Sequence, residues 1–526
     1  MSSVQMNMLR RVAVGDLIRR TAKRFPQKTA LVFGKNNWTY QQFNEQANRF
    51  AHAMVELGVG QGDRVAIMSH NCPQFLICFL GLAKIGAVIT PLNFALKQNE
   101  AEYIITHSEA KVVIVEDALV EVVQGANLPQ VKHFIGINLL GKKLEENWID
   151  FDSLLTEKYS DNEPELLIKS DDMVALLYTS GTESVPKGVM GSHLNYYSVL
   201  LSVAVDVGLR SDDVFLVSTP LFHVAALTYQ ALTTLAFGGT VILMYQPSID
   251  KVLELIDAHK VTFISFPSTI YMAMAQVDGV AENDLNSVRV CYTYGAPIPS
   301  TTLKRCMELL PGATWINYYG QTELSPLGTG NSAPLANPQS IGIPHLPLEM
   351  KIVDGDDKEL PRGEVGEIVA RGPAVMLGYY KNEDRTKQAF RSGWLHTGDL
   401  AKMDEDGNIY FIDRKKDIIK SGGENVSSQE VEEAIFKHPG VAEAAVIGMP
   451  DSYWGEAVVA VVVLKQNETL TEKELISHCK ELIAGYKVPK KVVFTEHIPK
   501  NPSGKMLKRQ LRKMFNETAS SKALLP

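Results

Sequence analysis

Read for apolar periodicity, the chain opens with two helices. Asp16 stands where it would cap a helix whose Leu17, Ile18, Thr21, Ala22 and Phe25 share one face. Thr39 and Gln42 form a capping box for a second helix, which turns Phe43, Ala47, Phe50, Ala51, Met54 and Leu57 inward and stops at Gly58. Short β-branched runs follow at 65–68, 88–90 and 112–115, with a helical pattern between the first two. That is a βαβ unit, hence a largely parallel sheet covered by helices. The most apolar stretch, 75–92, is interrupted by Gly81, Lys84, Gly86 and Pro91. It reads as a buried helix followed by a strand, not as a membrane span.

The same rhythm returns at 241–243 and 261–264, and the pattern changes after about Tyr410. A charged run, Asp413-Arg414-Lys415-Lys416-Asp417, leads into a compact α+β pattern. It predicts helices over 428–438 and 471–484 and strands near 441–448 and 457–464. A boundary near Lys416 divides the chain into a large part, 1–415, and a small part, 416–526. The fold class expected is α/β, with a large N-terminal domain of several subdomains and a small α+β C-terminal domain.

Composition narrows the picture only a little. The 526 residues carry 52 Lys+Arg against 60 Asp+Glu, a net charge of −8, with 45% hydrophobic and 21% charged residues. These values exclude wholesale disorder and collagen-like repeats, and they argue against a dedicated nucleic-acid coat. Cys72, Cys78, Cys291, Cys306 and Cys479 are scattered and form no C-x-x-C, so reduced thiols in a cytoplasmic protein are expected. The N-terminal run has no apolar core of signal-peptide length, so secretion is not expected. The net charge hides one asymmetry. The stretch 486–515 holds nine Lys and Arg against the single acid Glu496, and could attract phosphorylated ligands.

The chemistry enters with a strand over 174–178 that runs into Thr179-Ser180-Gly181-Thr182-Glu183-Ser184-Val185-Pro186-Lys187-Gly188. Small residues let backbone N–H groups close around phosphate oxygens, hydroxyls add donors, and Lys187 adds positive charge. The spacing is not that of a Walker A loop, because Gly188 follows the lysine in place of Ser or Thr. Four further segments stand downstream: Tyr294-Gly295-Ala296-Pro297, Tyr319-Gly320-Gln321-Thr322-Glu323, Thr397-Gly398-Asp399 with Arg414, and Pro502-Ser503-Gly504-Lys505.

In this order the five segments resemble the adenylate-forming superfamily, and the resemblance covers nearly the whole chain. The phosphate loop departs from the usual family form at Glu183 and Ser184, where Thr and Gly are expected. A carboxylate beside a triphosphate repels it unless a cation intervenes or the side chain turns away. The resemblance implies that Thr179, Ser180, Gly181, Thr182 and Lys187 hold phosphates, and that Gly295, Ala296, Pro297, Tyr319, Gly320, Gln321 and Thr322 line the nucleotide site. It implies that Asp399, with Arg414, binds the ribose, that Thr182 and Glu323 hold Mg²⁺, and that Lys505 is the catalytic lysine. His223, in Pro220-Leu221-Phe222-His223, falls where the family places a residue beside the acyl carboxylate. Ser421, Gly422 and Gly423 resemble a loop lining the CoA thiol channel, and Lys416 matches the hinge of a mobile C-terminal domain.

The expected activity is that of an AMP-forming acyl-CoA synthetase. ATP would activate a carboxylic acid to acyl-AMP, and CoA would take the acyl group. A pocket running from His223 past Ser268, Thr269, Tyr294 and Leu324 to Gly328 offers no Arg or Lys for a second carboxylate. That favours a monocarboxylic, largely apolar acid, with medium- or long-chain fatty acids preferred to aryl acids. The alternatives are an aryl-acid CoA ligase, an acyl-AMP ligase loading a carrier protein, and a non-catalytic nucleotide-binding protein. The partners expected are the acid, ATP and CoA, with no nucleic acid and no transmembrane segment, and a homodimer is compatible with this reading.

Overall fold

The computed structural model describes residues 2–179, 186–277, 284–295, 298, 300–451, 453–500 and 506–522. Contacts divide the chain into two compact units, 1–349 with 371–393, and 350–370 with 394–526. Compactness thus groups 350–370 and 394–415 with the smaller unit, whereas the change of sequence pattern set the domain boundary near Lys416.

Two sheets build the larger unit. In the first, Val214–Val217 lies between Thr240–Leu243 and Phe263–Pro267, and Val290–Tyr294 and Thr314–Tyr319 continue the parallel run. In the second, Val88–Leu92, Arg64–Met68, Val112–Glu116 and His133–Ile137 are parallel neighbours. Parallel strands need both faces covered, and all five residues of Val88–Leu92 and of Val112–Glu116 are buried. The apolar stretch 75–92 resolves into the helix Pro73–Lys84 and the strand Val88–Leu92, as its interruptions imply. Lys84 is itself buried, and its ammonium is held by Asn44 and Glu163 at 2.9 and 2.6 Å. Among the described residues no helix is long and apolar enough to cross a membrane.

Local signals were honoured where their partners are near in sequence. Thr39 and Gln42 close the expected capping box on the helix Tyr40–Glu56. Asp16 does not cap its helix. The helix Gly15–Arg24 begins two residues earlier than a cap at Asp16 would set, with Asp16 in its first turn. There Arg11 clamps the buried carboxylate through two hydrogen bonds of 2.8 and 2.7 Å, and a charge pair outcompetes a capping role. All five cysteines are buried and free. Burial pushes the Cys479 thiol up to about 11, so it stays protonated and inert.

The smaller unit holds the antiparallel strands Glu349–Val353, Gly366–Arg371, Trp394–Met403 and Ile409–Arg414. A five-stranded sheet around the long pair Val441–Asp451 and Gly455–Leu464 completes it, packed by the helices Ser428–Phe436 and Glu472–Leu482. Buried Asp413 ties strand to helix by accepting hydrogen bonds from the Ser428 N–H and Oγ at 2.6 and 2.7 Å.

His193 opens the helix His193–Asp206, where its Nδ1 accepts the Val14 N–H at 3.1 Å. Burial lowers its pKa to about 4, so the folded state keeps it neutral while the unfolded chain protonates near 6.5. Between those values the unfolded state binds more protons, so stability falls as pH drops from 6.5 toward 4. We expect this ring to contribute about 3 kcal/mol of that loss. Urea unfolding of wild type and His193→Gln at pH 7 and pH 4.5 checks it: the variant should lose less stability between the two.

Candidate active site

The strand Met173–Thr179 pairs antiparallel with Lys187–Ser192, and Thr179 lies directly opposite Lys187. Both ends of the phosphate-loop segment are thereby pinned. Ser180, Gly181 and Thr182, with Glu183 and Ser184, lie outside the described residues. The Lys187 ammonium stands over the Tyr379 ring, 5.4 Å from its centroid. The Tyr379 hydroxyl donates to Glu323 Oε1 at 2.9 Å, and the Met376 N–H donates to the Glu323 carbonyl at 2.9 Å. One tyrosine thus brings together a lysine and a carboxylate that the sequence could propose only separately. Tyr379 was not a candidate. Its signal is the two-residue strand Gly378–Tyr379, which joins the sheet beside Val189 and Met190.

Glu323 sits on the short 3₁₀ turn Thr322–Leu324, just beyond the strand Thr314–Tyr319. The Gly328 N–H donates to the Tyr319 carbonyl at 2.9 Å, closing the loop between them, and Gln321 Nε2 donates to the Tyr319 hydroxyl at 3.3 Å. Gly320 has no room for a side chain, since a Cβ there would fall 1.6 Å from the Pro326 carbonyl oxygen. Gly295 ends the strand Val290–Tyr294 with φ +92°, a left-handed conformation that favours glycine. Ala296 and Pro297 lie outside the described residues.

His223 leads into a π-helix, Ala225–Leu232, a wide-turn form frequent at functional sites. The residue as a whole is half-buried, yet its Nε2 is sealed from solvent and has no partner among the described residues. Burial lowers its pKa to about 4, so at neutral pH the ring is uncharged. Asn71 fixes the segment before it, a contact no local pattern announces. Its Nδ2 donates to the Thr219 and Met244 carbonyls, both at 3.0 Å, and its Oδ1 accepts the Leu221 N–H at 2.7 Å.

In the smaller unit, Asp399 and Arg414 face each other across a strand pair, with Arg414 Nε 3.4 Å from Asp399 Oδ1. Asp399 is buried, and its N–H donates to Thr397 Oγ1 at 3.2 Å. Ser421, Gly422 and Gly423 form a tight hairpin between Ile419–Ser421 and Glu424–Val426, with φ +62° and +87° at the two glycines. Both positive angles suit the turn that joins strands through two residues. The Gly422 N–H donates to the Trp454 carbonyl at 2.8 Å, and a Cβ on Gly422 would meet the Trp454 ring at 3.0 Å. Lys416 lines a concavity of about 330 Å³ with Ile418, Met449, Glu456 and Arg512. Lys505 lies outside the described residues, but a bridge between Lys500 and Met506 joins the two flanks of its loop.

Magnesium suits one or two protein carboxylates together with phosphate oxygens and water. The half-buried Glu323 carboxylate fits such a donor set. Among the described residues no group of three or more His, Cys, Asp or Glu could form an all-protein cage.

The AMP-binding enzyme family model matches residues 18–380, and the AMP-binding enzyme C-terminal domain model matches 430–505. The chain is 35% identical over 509 residues to feruloyl-CoA synthase of Amycolatopsis sp, covering 96% of this chain and 100% of the relative. It is 36% identical over 515 residues to the long-chain-fatty-acid–CoA ligase FadD13 of Mycobacterium tuberculosis, covering 96% and 99%. Among solved structures, anthranilate CoA ligase AuaEII in complex with anthranoyl-AMP superposes with a TM-score of 0.89 at 29% identity, covering 97% and 98%. The chain belongs to the AMP-binding enzyme family of adenylate-forming proteins. Within it, this is an acid–thiol ligase, an AMP-forming acyl-CoA synthetase with ATP and CoA as co-substrates.

Hydrogen bonds to a charged group contribute about 1.5–3 kcal/mol, so Tyr379→Phe should lower kcat/KM for ATP by roughly 10- to 100-fold. Steady-state kinetics with ATP varied, at saturating acid and CoA, measures it.

Proposed function

We propose that this enzyme converts a monocarboxylic acid without a second charge into its CoA thioester through an acyl-adenylate. In the first step a carboxylate oxygen bonds to the α-phosphorus of ATP, the bond to the bridging oxygen breaks, and pyrophosphate leaves. Little of this is covalent work for a protein, so positioning and charge neutralisation dominate. The reading rests on Tyr379, whose ring lies beneath the Lys187 ammonium while its hydroxyl holds Glu323. A cation and a carboxylate fixed beside the end of the loop strand suit a phosphate chain and its metal. Mg²⁺, held by Glu323 and Thr182 with phosphate oxygens, would supply charge neutralisation. Thr179, Ser180 and Gly181 cradle the phosphates, and Gly295, Ala296, Pro297, Tyr319, Gly320, Gln321 and Thr322 enclose the base and α-phosphate. Asp399, with Arg414 behind it, takes the ribose hydroxyls. Neutral His223 orients the acyl carboxylate without acting as a cation.

In the second step the CoA sulfur attacks the acyl carbon, the acyl–oxygen bond breaks, AMP departs and the thiol proton goes to solvent. The turn at Ser421, Gly422 and Gly423 suits the narrow thiol arm because its two glycines let a backbone approach closely. Lys505 serves adenylation and the glycine turn serves thioester formation, which implies a rotation about Lys416 between the steps. For the acid, the reading is a medium- or long-chain fatty acid, with an aryl acid as the alternative. Tyr229, Tyr292 and Tyr294 cluster around Tyr318, and Tyr294 stands on the path proposed for the acyl tail; these rings support the alternative of a compact acid.

The division of labour is tested on Lys505→Ala. We expect acid-dependent pyrophosphate release to fall by at least about 100-fold, the scale of a lost electrostatic contact to the transition state. Thioester formation from supplied acyl-adenylate should persist. Equal loss of both half-reactions in a folded variant would refute the assignment.

A further inference from the structure

A concavity of about 100 Å³ opens beside the phosphate-loop strands of the larger unit. Three segments far apart in sequence build it. On the helix Gln98–His107, Tyr103 and His107 are four residues apart and share a face, with ring centroids 5.4 Å apart. Lys187 opens the strand Lys187–Ser192, directly opposite Thr179. Tyr379 and Tyr380 follow from the short strand Gly378–Tyr379, and Arg385 from the helix Glu383–Ala389 behind it. Hydrogen bonds lock the three together. The Tyr380 N–H donates to the Gly188 carbonyl at 2.8 Å, and His107 Nδ1 shares a hydrogen bond of 2.7 Å with the Tyr178 hydroxyl. The pocket is therefore fixed to the same strand pair that pins the phosphate loop.

Its chemistry is one-sided. Among the described residues no Asp or Glu lines the space, while Lys187 and Arg385 supply two positive charges. Tyrosine hydroxyls and the Asn382 side chain add neutral donors. The acid of this neighbourhood, Glu109, is already engaged. It accepts from the Tyr380 hydroxyl at 3.0 Å and pairs with Lys381 and Arg64 at 2.9 and 2.8 Å. Burial, helped by the Lys381 ammonium, holds His107 below its usual range, so the charge rests on the lysine and the arginine. Size narrows the occupant. The volume is several times the ~10–15 Å³ that one water needs, yet well short of the roughly 300–1,000 Å³ of ordinary ligand pockets. A small inorganic anion fits these limits and a nucleoside does not. Tyr379 is a wall shared with the site already described, since its ring lies beneath Lys187 and its hydroxyl holds Glu323.

We infer that this pocket is a transit site for inorganic pyrophosphate, which it receives from the phosphate loop after adenylation. The inference rests on the acid-activating reading above, in which pyrophosphate leaves the α-phosphorus. Lys187 belongs to both places and can pass the anion from one to the other. The planar fork of Arg385 suits two phosphate oxygens at once. Pyrophosphate held there stands away from the acyl-adenylate and no longer reverses the step. The terminal phosphates of bound ATP present the same chain of acceptor oxygens, so the test must separate the two sources.

The test titrates the full-length enzyme calorimetrically with sodium pyrophosphate, and separately with ATP, without acid or CoA. Wild type is compared with Arg385→Gln and Arg385→Lys. We expect Arg385→Gln to weaken pyrophosphate binding by about 10-fold or more, the scale of a lost hydrogen bond to a charged group, and to leave ATP binding within about twofold. Arg385→Lys keeps the charge and should recover part of the affinity. The unchanged ATP affinity reports an intact fold. Equal weakening of both ligands, in variants with the circular dichroism of wild type, would assign the pocket to the terminal phosphates of ATP and overturn the transit site. Pyrophosphate affinity unmoved by either variant would overturn it as well. Acid-dependent pyrophosphate release by the same samples tests the underlying reading separately: its absence in wild type across fatty and aryl acids would overturn that reading, whatever Arg385 binds.

Discussion

The three hydrogen bonds of Asn71 hold the two sheets of the larger unit in register at the point where chemistry is proposed. Asn71 follows a strand of one sheet, Arg64–Met68, while Thr219, Leu221 and Met244 follow strands of the other. All of these atoms are buried, and a buried polar group left unpaired costs about 1–3 kcal/mol. A shift of one sheet against the other would break all three bonds together. The neighbouring side chains add to this join. Glu116 accepts from the His70 N–H at 2.7 Å and from Ser69 Oγ at 3.1 Å, and Tyr245 donates to it from the other sheet. Burial acts to raise the Glu116 carboxyl, but the hydrogen bonds from His70 and Tyr245 prevail and hold it below the usual range. The rings continue the connection, with His70 stacked on Phe94, Phe94 edge-on to Phe222, and Phe222 against His223. The position of His223 therefore depends on a polar join that begins about 150 residues upstream.

Charge in the smaller unit is more evenly matched than its sequence suggests. The basic stretch 486–515 carries nine cations and one acid. In the structure, Lys487 pairs with Glu430 at 2.6 Å, Lys500 with Glu443 at 2.5 Å, Lys508 with Glu432 at 2.7 Å and Arg512 with Asp417 at 2.9 Å. Lys490 stands over the Trp454 ring at 4.5 Å. Four of the nine cations are thus neutralised by acids from outside the stretch. The field available to an incoming phosphate is correspondingly smaller, and steering by this segment counts for less than its composition implied. The pairs instead tie the last helix, Lys508–Lys522, and the segments flanking the strand Lys491–Phe494 to the helix Ser428–Phe436, to Asp417 and to Glu443 on the sheet.

What the sequence disclosed about fold and site follows the distance to the deciding partner. Thr39 and Gln42 cap their helix within one turn, and the interruptions of 75–92 act on the residues beside them, so both were legible. Glycine motifs were legible too, because left-handed backbone and close approach belong to the position itself, as at Gly295 and Gly320. Asp16 was misread because its partner, Arg11, lies before the helix and overrides the capping role. Tyr379, Asn71 and Asp413 escaped notice for a related reason. Each acts through hydrogen bonds to residues far along the chain, and nothing in its own neighbourhood distinguishes it from ordinary strand or loop residues.

The acid preference shows the same limit from the other side. Scanning for Arg, Lys, Asp and Glu found no charge for a second ionised group and took the remaining pocket as apolar. Tyrosine, glutamine and serine are neutral, and in a strand pattern they pass for core residues. Only the pairing of strands shows that Tyr292, Tyr294, Tyr318 and Ser265 share one face. Buried polar groups that join distant segments are closed: Asn71 three times, Glu116 at least three times, Asp213 by Arg289 and Thr262.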